Sequence, residues 1–198
     1  MLELIKPALV LVAVCVVVVA ALAVTAQVTG PVIAARTQAD LDAAKKAVLT
    51  SAQTFSELDL TGLQPNSEGL ATVRAAWVAR DASGAFVGTV VSLASKGYGG
   101  PVAFTVGVSP AGTVTGVKAG GHKETPGLGD KVVSSGSKVL KQLVGITPTA
   151  PLKVVKGSPG MNEIDAIAGS TVTSRAATRA VSGAWELASR LTAEGAWK

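Results

Sequence analysis

Residues 73–118, VRAAWVARDASGAFVGTVVSLASKGYGGPVAFTVGVSPAGTVTGVK, decide the fold. They divide into four β-like runs, 73–79 (VRAAWVA), 85–94 (AFVGTVVSLA), 102–108 (VAFTVGV) and 113–118 (TVTGVK). Between the runs stand turn formers: Asp81-Ala82-Ser83-Gly84, then Lys96-Gly97-Tyr98-Gly99-Gly100-Pro101, then Ser109-Pro110-Ala111-Gly112. Strands joined by loops this short pair as antiparallel hairpins, because a parallel crossover needs a connection of a dozen or more residues.

C-terminal to this region the period changes. Val132, Val139 and Leu143 predict a helix over 131–143, and 152–155 reads as a short strand. Val172, Ala176, Ala180, Ala184, Leu187 and Leu191 form an apolar stripe on a final helix of about five turns. The fold class expected is α+β, a twisted antiparallel sheet with packed helices, over 71–198.

The N-terminal region has a different character. No charged residue lies between Lys6 and Arg36, and 8–28 is almost all Val, Ala and Leu. A bilayer span needs ~20 apolar residues, so a transmembrane helix is expected over 7–29, after a short N-terminus of 1–6. A cleaved signal peptide usually has a shorter apolar region, and Val14 before Cys15 lacks a lipoprotein context. The flanking charges, Lys6 on one side and Arg36, Lys45 and Lys46 on the other, do not decide the orientation. Leu41, Ala44 and Val48 place an amphipathic helix over 37–49, inside a stalk or connector of 30–70 whose later part, 58–69, is turn-rich.

Composition removes several kinds of chemistry. Cys15 is the one cysteine and His122 the one histidine of 198 residues. The part after residue 30 therefore offers no disulfide, no thiolate-held iron–sulfur cluster, no CxxCH haem and no cysteine zinc site, and no metal-ligating set is expected. Redox work by this chain would need an organic cofactor. The net charge of +5 gathers in the C-terminal half at Lys118, Lys123, Lys131, Lys138, Lys141, Lys153 and Lys156. With 4% aromatic residues and no reading motif, nucleic acid is not the expected partner. Anionic lipid, a phosphate-bearing cofactor and an ordinary solvated face all fit the charge.

Two runs stand out chemically. Asp165-Ala166-Ile167-Ala168-Gly169-Ser170-Thr171-Val172-Thr173-Ser174 puts small residues and several hydroxyls at a helix start. Free N–H groups and the positive helix end suit a phosphate there, and a neighbouring hydroxyl can become its ester. Gly121-His122-Lys123-Glu124-Thr125-Pro126-Gly127-Leu128-Gly129-Asp130-Lys131 is the second run. Pro126-Gly127 suits a type II turn, and Gly127 and Gly129 let main chain lie against a flat ligand. Glu124 and Thr125 supply an acceptor and a donor for a ring edge, and Lys131 a positive charge for a reduced ring. Read alone, the run is equally a polar hairpin loop, with His122 a simple loop residue.

The first run resembles the flavinylation motif D-x-x-S/T-G-A-S/T of the FMN-binding domain family. Asp165, Gly169 and Thr171 match it, while Ala168 stands where Ser or Thr is usual and Ser170 where Ala is usual. HKETPGLGDK, after GYGGPV, is similar to a second signature of that family, in particular of the G subunit of the Rnf ion-translocating electron-transport complex. The C subunit of the sodium-pumping NADH:quinone reductase is a related member, usually longer, and stands second as the alternative reading.

The resemblance implies FMN held covalently as a phosphoester of Thr171, attached by a flavin transferase that uses FAD and recognises the motif beginning at Asp165. It implies ring and ribityl-phosphate contacts among Glu124, Thr125, Pro126, Gly127, Leu128, Gly169, Ser170, Thr173 and Ser174, with Lys131 as a charge partner. It implies electron transfer within a membrane-bound, ferredoxin/NAD-linked translocase, the chain not being catalytic alone. The implied partners are multi-span membrane subunits, a second FMN-carrying subunit and cytoplasmic iron–sulfur subunits. The implied location is the cytoplasmic membrane, single-pass, with the N-terminus inside and the flavin domain outside. A non-redox membrane-anchored binding or assembly module, and a tethered FMN domain serving another chain, are the competing readings.

Overall fold

Side chains alternate across a β-strand, so one sheet can serve two cores when both faces are apolar. The computed structural model describes residues 2–60 and 71–195, with side chains from residue 7, in two compact units, Met1–Asp40 and Leu41–Lys198.

The first unit is helical. Helix α1 runs Leu2–Val48 without interruption, so the separate helices expected over 7–29 and 37–49 are one element. Pro31 lies inside it; proline keeps a helical φ and forfeits one N–H. Thr25, Thr29 and Thr37 each donate a hydroxyl back to the carbonyl four residues earlier, at 2.8–2.9 Å. From Leu9 to Ile33 the large apolar side chains are 50–68% exposed on every side of the helix. Its most apolar window has a mean hydropathy of 3.1, long and apolar enough to cross a membrane.

The second unit holds a five-stranded antiparallel meander: β1 (Thr54–Glu57), β2 (Thr72–Arg80), β3 (Phe86–Lys96), β4 (Pro101–Val108) and β5 (Val114–Ala119). The four runs read from sequence are β2 to β5; β1 adds an edge strand to β2. Asp81 shapes the β2–β3 turn by accepting from the N–H groups of Ser83 and Ala85 at 2.8 and 3.0 Å. The turn-rich segment expected at 58–69 lies mostly outside the described residues.

After β5 come α2 (Asp130–Val133), α3 (Lys138–Leu143), β6 (Lys153–Val155), β7 (Glu163–Asp165) and α4 (Thr171–Glu194). The helix expected over 131–143 is thus two. Ser137 sits in an extended conformation and its hydroxyl accepts from the Val139 N–H at 3.2 Å, capping a new helix. Strands β6 and β7 pair in parallel, an arrangement the hairpin reading did not anticipate.

One sheet face packs on α4. Val91, Leu93, Phe104, Val106 and Val114 meet Ala176, Ala180, Ala184 and Leu187 in a core where each is fully buried. Alanines along α4 let the helix approach the sheet closely, and a fully buried side chain such as Leu187 contributes about 2 kcal/mol. Val172, expected on this stripe, is 45% exposed and faces elsewhere. The opposite face receives the end of α1, where Val48, Leu49 and Ala52 pack with Trp77 and Val90. Gly116 makes this possible, because a Cβ there would lie 2.6 Å from Val48 Cα. The Thr115 hydroxyl donates to the Val48 carbonyl at 2.6 Å. Lys45 is buried with Nζ 4.7 Å from the Trp77 ring centroid and 2.6 Å from Asp42 Oδ1.

Candidate functional site

The two unusual sequence runs meet. Between them lies a cavity of about 590 Å³, lined by Tyr98, Glu124, Thr125, Leu128, Gly129, Lys156, Gly169, Ser170, Thr171, Val172 and Thr173. Small-molecule sites commonly measure ~300–1,000 Å³.

Glu124 organises the loops around it. Its side chain is buried at 6% exposure. Oε1 accepts from the Gly99 N–H at 3.0 Å, and Oε2 accepts from the Thr173 hydroxyl at 2.5 Å. One carboxylate therefore ties the GYGG loop, its own loop and the first turn of α4 together. Gly97 and Gly129 flank it so closely that a Cβ on either would collide with its oxygens. The close approach read at Gly129 as room for a ligand is thus to the protein's own carboxylate.

The start of α4 carries the second set of groups. Ser170 is its N-cap residue, yet its hydroxyl makes no capping bond. That Oγ is fully buried and is the buried side-chain polar atom without a hydrogen-bond partner among the described residues. Thr171, next in the chain, is partly exposed on the cavity wall. The first turn itself holds no acidic residue; the carboxylate that reaches it is that of Glu124, through Thr173. Ser174 is buried, accepts from the Ile167 N–H at 3.4 Å and donates to the Ser170 carbonyl at 2.9 Å.

Asp165 stands outside the cavity wall. Its carboxylate accepts from Lys138 Nζ at 2.6 Å and from the Gly157 N–H at 2.9 Å, which holds its pKa below the ordinary 3.8. Gln142 also clamps its main chain, accepting from the Asp165 N–H at 2.9 Å and donating to its carbonyl at 3.1 Å. Through Gly157 the aspartate anchors the loop that brings Lys156 to the cavity.

Of the residues singled out from sequence, Glu124, Thr125, Leu128, Gly129, Gly169, Ser170, Thr171 and Thr173 line the cavity. Pro126, Gly127, Lys131, Asp165 and Ser174 do not. Sequence reasoning missed Tyr98, 77% exposed beside the opening, and Lys156. Tyr98 is the chain's one tyrosine, set among glycines in GYGG, a signal that was available; Lys156 had none beyond its charge. The group implied by the motif fits this cavity. A phosphate needs donors at a helix start, and a buried hydroxyl without a partner is present there; a flat ring needs apolar surface, and Tyr98, Leu128 and Val172 supply it.

Residues 97–186 carry the whole of this wall, and they match the FMN-binding domain family. The match covers a little under half of the chain and lies C-terminal to the apolar helix. Beyond the family, the chain is similar to the G subunits of ion-translocating complexes. It is 32% identical over 109 residues to the G subunit of the ion-translocating oxidoreductase complex of Stutzerimonas stutzeri, covering 54% of this chain and 48% of that one. It is 41% identical over 95 residues to the G subunit of the Na(+)-translocating ferredoxin:NAD(+) oxidoreductase complex of Acetobacterium woodii, covering 47% and 44%. It is 33% identical over 116 residues to the G subunit of the proton-translocating ferredoxin:NAD(+) oxidoreductase complex of Clostridium ljungdahlii, covering 59% and 61%. The chain spans about half the length of the curated relatives it matches.

Proposed function

We propose that this chain is a flavoprotein subunit of an Rnf-type, ferredoxin/NAD-linked, ion-translocating oxidoreductase, with FMN covalently attached to Thr171. The observation that carries the reading is the pairing, at the start of α4, of an accessible hydroxyl (Thr171) with a buried unpartnered one (Ser170) on one cavity wall. Attachment forms a bond between Thr171 Oγ1 and the phosphorus of the FMN half of FAD. It breaks the pyrophosphate P–O bond and releases AMP, with the hydroxyl proton passing to solvent. A flavin transferase catalyses it. Thr171 is the acceptor because an external enzyme can reach it, whereas the neighbouring Ser170 Oγ is buried.

Bound FMN supplies one- and two-electron transfer; the chain supplies binding, orientation and electrostatics. The N–H groups of the first turn of α4 and Lys156 hold the phosphoryl end. Tyr98, Leu128 and Val172 cover apolar ring surface, and Glu124 keeps the loops in register around it. Asp165 holds the Lys156 loop, and it is read by the transferase. Residues 7–29 anchor the protein in the cytoplasmic membrane, with 1–6 inside, 30–70 as connector and 71–198 as the outer FMN domain. Its partners are the other subunits of the complex, and the covalent bond prevents loss of the cofactor to the exterior. The names of two relatives specify different ions, sodium and proton.

The test is co-expression of the full chain with a flavin transferase, followed by intact mass and sequencing of the tryptic peptide 157–175. The expected result is yellow protein carrying FMN on Thr171, and no adduct in Thr171→Val. An unmodified peptide from yellow protein refutes the covalent linkage. Colourless protein favours the assembly-module reading.

A further inference from the structure

We propose that Ser170 is a phosphate-binding residue whose buried hydroxyl donates a hydrogen bond to a phosphoryl oxygen of the FMN ester on Thr171. The inference rests on the proposed attachment and deepens it at a residue where this chain departs from the motif.

Four observations converge on Ser170. The residue is 4% exposed, and its Oγ has no hydrogen-bond partner among the described residues. Leaving a hydroxyl buried and unpaired is unfavourable, so a buried donor of this kind points to a bonding partner from outside the chain. As N-cap residue it occupies the position whose side chain ordinarily bonds to its own helix, and it makes no such bond. The residue belongs to the cavity wall that also carries Thr171, its neighbour, and Lys156. Glu124, the carboxylate among the cavity-lining residues, already accepts from Gly99 N–H and from Thr173.

An anion with free oxygens, adjacent to Thr171, satisfies the orphaned hydroxyl. A phosphodiester has two such oxygens and one negative charge, and bonds between neutral donors and charged acceptors are stronger than neutral pairs. The sequence pattern agrees. The motif places a hydroxyl at the position of Ala168 and a methyl at that of Ser170; here the two are exchanged. Ala168 is exposed and Ser170 buried, so the exchange carries the hydroxyl to the enclosed side of the turn.

The test compares the full chain, Ser170→Ala and Ser170→Thr, each co-expressed with the transferase and purified in detergent. Phosphorus NMR reads the ester, and peptide mass spectrometry locates it. In the wild-type protein the ester resonance is displaced from its position in the unfolded, flavin-carrying chain. In Ser170→Ala it moves toward the unfolded position, while FMN remains on Thr171; Ser170→Thr retains the displacement. An identical resonance in wild type and Ser170→Ala overturns the proposal, as does FMN located on Ser170 itself. If Ser170→Ala loses FMN, recovery in Ser170→Thr supports the hydroxyl's role. Loss in both variants, with circular dichroism unchanged, overturns it. Wild-type protein without FMN on residue 170 or 171 instead defeats the attachment reading on which the proposal rests.

Discussion

Removing the Glu124 side chain should loosen the cavity by untying the three segments that it joins. In Glu124→Ala the Gly99 N–H and the Thr173 hydroxyl lose their acceptors, and the space between Gly97 and Gly129 opens. Hydrogen bonds to a charged group contribute ~1.5–3 kcal/mol each, and water entering from the cavity recovers part of the loss, so the expected cost is about 2–4 kcal/mol. Glu124→Gln is the informative partner. Its amide oxygen can still accept from Gly99, and its NH₂ can donate to a reoriented Thr173 hydroxyl, so only charge assistance is lost, about 1 kcal/mol. The assay is urea unfolding of the detergent-solubilised full chain followed by tryptophan fluorescence. Both variants should be made on a Thr171→Val background, so that no bound flavin contributes. A cost below about 1 kcal/mol for the alanine variant, or equal costs for alanine and glutamine, refutes the view that this carboxylate ties the three segments together. A change in flavin absorbance in holo-protein with no change in unflavinylated stability would instead make Glu124 a ring contact alone.

Gly116→Ala should destabilise by about 1–3 kcal/mol, because its Cβ meets Val48 Cα at 2.6 Å and Val48 O at 2.8 Å, both main chain. Gly121→Ala, where a Cβ meets nothing within 4 Å, should stay within about 0.5 kcal/mol in the same urea experiment. For Asp165, the Lys138 ammonium and then the Gly157 N–H lower the folded pKa below 3.8. A depressed folded pKa contributes stability above the unfolded value and loses it as pH falls through the folded one. Lys138→Ala should therefore move the Asp165 titration, followed by carboxyl NMR, upward toward 3.8. The stability difference between wild type and variant should shrink below pH 3.8; an unshifted titration would contradict the ion pair. Thr171→Val, finally, should give a chain without any FMN adduct by mass.

The hairpin region was legible because strand signals there are local. Short runs rich in Val, Ala and Thr are bounded by Asp-x-x-Gly and Pro-Ala-Gly turns, and β2 to β5 lie within about two residues of the runs read from sequence. What escaped depends on contacts distant in sequence. Strand β1 exists as an edge on β2, with Phe55 opposite Ala79, and TFSE alone carries too few residues to declare it. The parallel pair β6–β7 is set by Ser182, whose hydroxyl accepts from the Leu152 N–H at 2.9 Å, and by the Gln142 clamp on Asp165. The split between α2 and α3 was local and readable, since a serine cap can start a helix more effectively than Ser134-Ser135-Gly136 can continue one.

The candidate site divides along the same line. Both motifs and their meeting were foreseeable, but the use of each polar atom was not. Glu124 and Ser174 read from sequence as groups free to meet a ligand, and the structure engages both in bonds within the protein. Ser170 and Thr171 differ by one methyl group, and residue chemistry leaves either able to carry a phosphoester. Burial separates them, since consecutive residues at a helix start point about 100° apart around the axis. Ser170 Oγ is buried, and Thr171 is partly exposed on the cavity wall. Under the proposed attachment the two adjacent hydroxyls take distinct tasks: Thr171 meets the external transferase, and Ser170 meets the phosphoryl group once it is attached.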